Sequence, residues 1–246
     1  MRRLLLIAFV LAAVSASAAQ LVVLSAGAME PAVMPLLAEF QRSSGHTATV
    51  DYGTAPELAE RLSHNQPGDV LIAPMAVMDR AVADGRVDTA TRSAVGRIGV
   101  GVFIRKGAPA PDVSTPEALR QSVVQATAVV YTQGSSGQYI DMLLATLGVE
   151  PQIRSRVVRT ADADAALARV ASGAAGDLGF GAITAIKAHE ARGTHLVAPL
   201  PERLQNFTAY EAAIRTGART PDVAAAFLDY LRTPAARTLL QAAGVE

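Results

Sequence analysis

Apolar positions fall into two spacings along the chain: short β-rich runs, and stretches where they recur every three or four residues. The run "QLVVLSAGAM", Gln20 to Met29, predicts a strand entering a turn. Val33, Leu36, Leu37 and Phe40 then predict a helix that stops at Ser43-Ser44-Gly45. "TATVDYGT" predicts a second strand, and "APELAERLSHN" a second helix with Pro56 at a tolerated first-turn position. A third strand, "DVLIAP", and a third helix, "MAVMDRAVADG", complete the unit. A β-α-β-α-β order implies parallel strands joined by crossover helices, and ligands in such sheets lie beyond the carboxyl ends of the strands.

A second α/β unit follows. "GRIGVGVFIRKG" predicts a long strand whose Gly96, Gly99 and Gly101 suit a bend or a close backbone approach. The helix "STPEALRQSVV" is capped by Ser114 or Thr115, with Pro116 at its first position, and the strand "ATAVVYT" comes next. Small residues from Gly134 to Gly137 then lead into Tyr139, Ile140, Leu143, Leu144 and Leu147 at helical spacing. A strand, a glycine/serine turn and a helix start expose unpaired N–H groups at the positive end of a helix dipole, which suits a cap, an anion, or both. "RVVRT", the helix "DADAALARVASG", the strand "DLGFGAI" and the edge "THLVAPLP" continue the unit. "NFTAYEAAIRTG" predicts a returning strand, and two helices broken at Pro234 close the chain.

Composition narrows the function. Arg2 and Arg3, the apolar run Leu4 to Val14 and the small residues Ala16-Ser17-Ala18 predict a signal peptide over residues 1 to 19. That run is shorter than the roughly 20 residues a spanning helix needs, so a soluble periplasmic protein is expected. There is no cysteine, which removes both disulfides and a lipid-anchoring thiol. Lys+Arg and Asp+Glu are both 22, leaving no basic field to collect nucleic acid. Aromatic residues are 4% with no tryptophan, too few for a sugar-stacking platform, so a small polar or charged ligand is expected.

Catalytic patterns are sparse. His46, His64, His189 and His195 lack the spacing of a metal site, and "GSSG" lacks the G-x-S-x-G form of a nucleophile elbow, so neither metal nor catalytic residue is assigned. Glu30 and Glu57 fall in first helical turns, where a carboxylate compensates the helix dipole.

Taken in order, "VLSAGAM", "YGTAPELAERL", "DVLIAP", "GRIGVGVFIRKGAPAPDVSTPEAL", "VVYTQGSSGQY", "DLGFGAI" and "PLPERLQNFTAYEAAI" resemble periplasmic solute-binding proteins of the molybdate-binding type across the mature chain. The resemblance implies a two-lobed α/β fold of type II, with two parallel-rich sheets joined by two crossover strands. Lobe 1 would hold residues 20–99 and 205–246, and lobe 2 residues 100–204. A small anion, either an oxyanion or an organic carboxylate, would be held in the cleft and delivered to an ABC importer. The expected partners are that ligand and the importer's membrane subunits, with no nucleic acid and no cofactor, and the protein is expected to act as a monomer. Ligand contacts are expected from Ser25, Ala26, Gly27, Ala28, Gly53, Thr54, Ala55 and Pro74 in lobe 1, and from Ser135, Ser136, Gly137 and Phe180 in lobe 2.

Departures from that pattern argue against molybdate. Ala28 stands where a serine ligand belongs, the second-strand loop offers Thr54 beside Ala55, and Ala182 or a neighbour replaces an expected tyrosine. Each unmade hydrogen bond to a buried charge costs on the order of 1.5–3 kcal/mol. Arg97, at the start of the crossing strand, could bind a carboxylate with two parallel bonds or could instead form an inter-lobe or surface salt bridge. Aconitate isomerases are similar to the same family, and "DVLI", "APDVS" and "SSGQY" look like theirs. Their "SGGF" loop is not matched by "SAGAM", so an isomerase acting on a small tricarboxylate is the alternative to a carrier.

Overall fold

A computed structural model describes residues 18–133 and 135–246, apart from the side chains at 135 and 136, so the expected leader lies, up to residue 17, outside the described residues. The first half of the chain runs β1 (Gln20–Ala26), α1 (Glu30–Ser44), β2 (Thr47–Gly53), α2 (Ala55–Ser63), β3 (Val70–Pro74), α3 (Met75–Ala83) and β4 (Ser93–Arg105). It continues with α4 (Pro116–Gln125), β5 (Ala128–Thr132), α5 (Ser135–Thr146), α6 (Glu150–Ile153), β6 (Val157–Thr160), α7 (Ala163–Ala171) and β7 (Asp177–Ala182). Then come α8 (Ile183–His189), β8 (Thr194–Pro199), β9 (Phe207–Ile214), α9 (Pro221–Leu231) and α10 (Pro234–Ala243).

The strands line up as β2-β1-β3-β9-β4-β7-β5-β6, with β8 also on β4. Both ends of this order follow one plan. β1 lies between β2 and β3, and β5 lies between β6 and β7, all four pairs being parallel. Each trio is therefore a doubly wound unit whose helices leave the central strand in opposite directions. The parallel trios are the expected parallel-rich sheets, and the strands between them are antiparallel: β9 to β3, and β4 to β9, β7 and β8. The cause lies in the connections. β8 and β9 run one after the other along the same edge of β4, and antiparallel neighbours need no crossover helix.

Three sets of apolar side chains form the core, one at the first end of the sheet and two at the second, the third of them holding Phe103, Val130, Leu167 and Ile186. Leu21, Val23, Leu36, Leu58, Leu71 and Phe227 belong to one cluster, and Val102, Leu119, Val129, Ile140 and Phe180 to another. Each fully buried Leu contributes roughly 2 kcal/mol, so either cluster can hold its own sheet. Local signals set the helix ends: Thr54 caps α2, Thr115 caps α4, Asp162 caps α7 and Thr233 caps α10 through side-chain oxygens. β4 kinks at a register shift between Ala94 and Gly96. Gly96 has φ 156, and a Cβ there would lie 2.5 Å from Val245 and 2.7 Å from the Glu246 carbonyl oxygen. The glycine thus lets the chain's carboxyl end lie against the strand.

Two buried carboxylates take matching places. Asp69, just before β3, accepts from the N–H groups of Val22 at 2.8 Å, Arg219 at 2.6 Å and Thr220 at 3.1 Å. Asp177, at the start of β7, accepts from Arg169 Nη1 at 2.7 Å and the Ala174 N–H at 3.1 Å. Each ties loops to the amino end of its sheet, opposite the end where the central strands open.

Candidate functional site

Winding a sheet both ways from β1 and from β5 leaves a crevice at the carboxyl end of each strand. β1 ends at Ala26 and leads into Gly27 and Ala28, β7 ends at Ala182 and leads straight into α8, and the structure brings these two strand ends together. Thr184 Oγ1, fully buried on α8, donates to the Ala28 carbonyl oxygen at 2.8 Å. Ala28 and Ala182 both pack against the first apolar cluster. This seam between the two crevices is the candidate site.

Several expected contacts gather on its first side. The β1/β2 register places Ala26 beside Gly53, so Gly27 and Thr54 follow from adjacent strand ends. Ser25 is fully buried, with its hydroxyl 3.3 Å from the Ala26 carbonyl oxygen. Pro74 ends β3 opposite Tyr210 of β9. Ladder partners share a face, so Ser25, Tyr52 and Ile72 point the same way, as do Ala212 and, two residues along, Tyr210. Burial, assisted by the nearby Glu30 carboxylate, pushes the Tyr52 phenol up, and burial pushes Tyr210 up to about 12. At neutral pH both therefore stay uncharged donors.

From the second side, α5 begins with Ser135, Ser136 and Gly137, the serine side chains and Gly134 lying outside the described residues. A Cβ on Gly137 would sit 1.6 Å from the Thr132 carbonyl oxygen, so glycine is what lets the helix start close against the end of β5. Further along the same helix, Tyr139 Oη donates to the Leu204 carbonyl oxygen at 2.6 Å.

Three expected contacts are placed otherwise. Arg97 pairs with the Glu246 carboxylate at 3.0 Å, and its guanidinium carbon stands 4.0 Å over the Phe207 ring. Alternation along β4 sends Ile98 into the core and Arg97 to the opposite face, giving the salt bridge rather than a cleft-facing fork. Both partners are about half exposed, at 54% and 55%. Arg97→Ala should therefore cost under about 1 kcal/mol in a denaturation curve and leave ligand affinity unchanged. Phe180 is 1% exposed within the second apolar cluster, a packing residue rather than a contact. Thr54 already has partners: its N–H donates to Glu57 at 2.7 Å and its hydroxyl to the same carboxylate at 2.9 Å. Those bonds, the backbone one first, hold the Glu57 carboxyl below the usual range. The start of α2 thus carries its own anion, leaving Ala55 with the next N–H of that helix.

A hollow of about 430 Å³ is lined by Tyr131, Asp141, Leu144, Glu150, Arg154, Val157 and Arg159. Its charges answer one another. Arg159 pairs with Asp141, Tyr131 Oη donates to Asp141 at 2.6 Å, and Arg154 stands 3.9 Å from Glu150. With every cation matched, it offers an anion less than its size suggests.

Residues 21–246 match the family model described as bacterial extracellular solute-binding protein. An aconitate isomerase from a Pseudomonas species is 29% identical over 234 residues, 92% of this chain and 87% of that protein. Among solved structures, the periplasmic molybdate-binding protein of Azotobacter vinelandii aligns with a TM-score of 0.66 at 18% identity, over 92% of this chain and 98% of that one. The sulfate-binding protein of Mycobacterium tuberculosis H37Rv aligns with a TM-score of 0.72 at 15% identity, over 92% and 86%. At such identities the structural likeness establishes the fold.

Proposed function

The chain belongs to the bacterial extracellular solute-binding proteins, and from that premise we propose that it is a periplasmic carrier of a small organic carboxylate, which it hands to an ABC importer. Two lobes, residues 20–99 with 205–246 and residues 100–204, close on the ligand. The observation that carries this reading is the Thr184 to Ala28 bond, which joins the loop of one crevice to the helix of the other. Backbone N–H groups around Ala26 to Ala28, at Ala55 and at the start of α5 supply the anion's partners, while the Thr184 hydroxyl acts by holding the Ala28 carbonyl oxygen. Preference for a carboxylate over molybdate rests on Ala28, Ala55 and Ala182, which stand where the molybdate-type pattern has hydroxyls. A tetrahedral oxyanion would lose roughly 1.5–3 kcal/mol for each donor missing.

Isothermal titration against di- and tricarboxylates, molybdate, tungstate, sulfate and phosphate tests the proposal. Saturable one-to-one binding of a carboxylate is expected, and Thr184→Val should weaken it by about 1 kcal/mol, the ordinary worth of one neutral hydrogen bond. Failure of every anion to bind would remove the carrier reading. A second reading, isomerisation of a small tricarboxylate, is favoured by the Pseudomonas relative. It needs a base within hydrogen-bond reach of the substrate's acidic carbon, and the two phenols on the Ser25 face are too weakly acidic to supply one at neutral pH. Incubation with cis- or trans-aconitate, followed by chromatography, separates the readings, since a carrier returns its ligand unchanged.

A further inference from the structure

Where β4 passes from one half of the sheet to the other, its backbone partner changes. β9 accompanies it up to Gly99, opposite Phe207, and β8 from Gly101 onward, opposite Pro199. Between those partners the chain loops out through residues 200–206, leaving Val100 without a strand residue on that edge, while Ala182 of β7 flanks it on the other. Gln205 fills the gap with its side chain. Its Oε1 accepts from the Val100 N–H at 2.8 Å, and its Nε2 donates to the Val100 carbonyl oxygen at 3.0 Å. The same Oε1 accepts from the Asn206 N–H at 3.0 Å, and the Leu200 N–H donates to the Val100 oxygen at 3.0 Å. A carboxamide thus stands in for a peptide group, and the ladder along β4 continues through the crossing.

We propose that Gln205 is a hinge clasp, a side-chain amide that holds Val100 while the two halves turn about this crossing. A backbone partner is fixed to its own strand, whereas an amide on a flexible stem can follow Val100 as the crossing bends. The clasp is also tied to the proposed ligand turn. Tyr139, two residues after Gly137 on α5, donates to the carbonyl oxygen of Leu204, the residue before Gln205. Movement of the α5 start therefore pulls on the clasp, a coupling that rests on the carrier reading, whereas the clasp itself does not.

The chain has no cysteine, so paired spin labels can be introduced cleanly at Glu60→Cys on α2 and Gln121→Cys on α4, both exposed. Distance distributions are measured without ligand, which separates failure of the clasp from failure of the carrier assignment. Gln205→Met keeps the side chain's length and removes its amide. It should broaden the distribution and speed hydrogen exchange at the Val100 amide about tenfold or more, because that N–H loses its partner. Tyr139→Phe removes a single hydroxyl and should shift the distribution in the same direction by less. A Gln205→Met distribution that superimposes on the parent, or unchanged exchange at Val100, would overturn the clasp. An unchanged distribution in Tyr139→Phe would overturn the coupling.

Discussion

Asp69→Ala should be the most damaging single change in the first half of the fold. The carboxylate is 2% exposed and accepts three backbone N–H groups, from Val22, Arg219 and Thr220. Alanine leaves all three buried without partners, each costing on the order of 1–3 kcal/mol. Allowing for water reaching part of the space, about 4 kcal/mol is expected, which lowers the melting temperature of a chain this size by roughly 10 °C. Asp69→Asn should recover part of the loss. Its amide oxygen can keep the Arg219 and Thr220 donors, while its NH₂ turns a donor toward the Val22 N–H. Equal stability of Asp69→Ala and the parent in chemical denaturation would show that these bonds do not hold the loops.

Gly137→Ala should damage both stability and binding. The added methyl would lie 1.6 Å from the Thr132 carbonyl oxygen and 2.7 Å from its carbon. Backbone cannot rotate aside as a side-chain tip can, so α5 must back away from the end of β5. A cost of about 3 kcal/mol is expected, the upper part of the usual overpacking range. That retreat carries the N–H groups of the helix start out of reach of an anion at the seam, and affinity should fall about tenfold or more. Titration of the folded variant at a temperature well below its transition reads the two effects apart. Full affinity in a destabilised Gly137→Ala protein would detach the α5 turn from the site.

Much of the fold was legible because the hydrophobic period changes cleanly from two to three or four at each element. The runs after Gln20, Thr47 and Val70 show this, each followed by a helix whose apolar stripe packs on the sheet. The polar residue at the head of each third strand, Asp69 and Asp177, was also visible, although its burial was not. One helix escaped. "DLGFGAI" reads as unbroken strand, yet the chain turns helical at Ile183 for the seven residues of α8. Its signals were present but brief: Ile183 and Ile186 at helical spacing, basic Lys187 and His189 in the last turn, and Gly193 with φ 108 just beyond. Missing that helix meant missing Thr184, the side chain that bridges the seam.

The fate of Arg97 was not legible for a different reason. Strand alternation places it opposite Ile98 but does not say what lies on either face. Its partner, Glu246, is 149 residues away in the sequence and reaches β4 only because α10 ends there. Phe180 illustrates the reverse case. The family resemblance made it an expected contact, but its ring is taken up by the second core. A Cβ on Gly179 would fall 2.3 Å from the Phe103 ring, so the glycine there serves packing rather than ligand approach.

The seam is tested most directly by a crystal structure of the protein with its tightest-binding anion. The anion should lie between the loop after β1 and the starts of α5 and α8, within hydrogen-bond reach of N–H groups from Ala26 to Ala28 and of the α5 start, with Arg97 still on Glu246. An anion found in the hollow lined by Tyr131, Asp141 and Arg159, or one gripped by Arg97, would contradict the account.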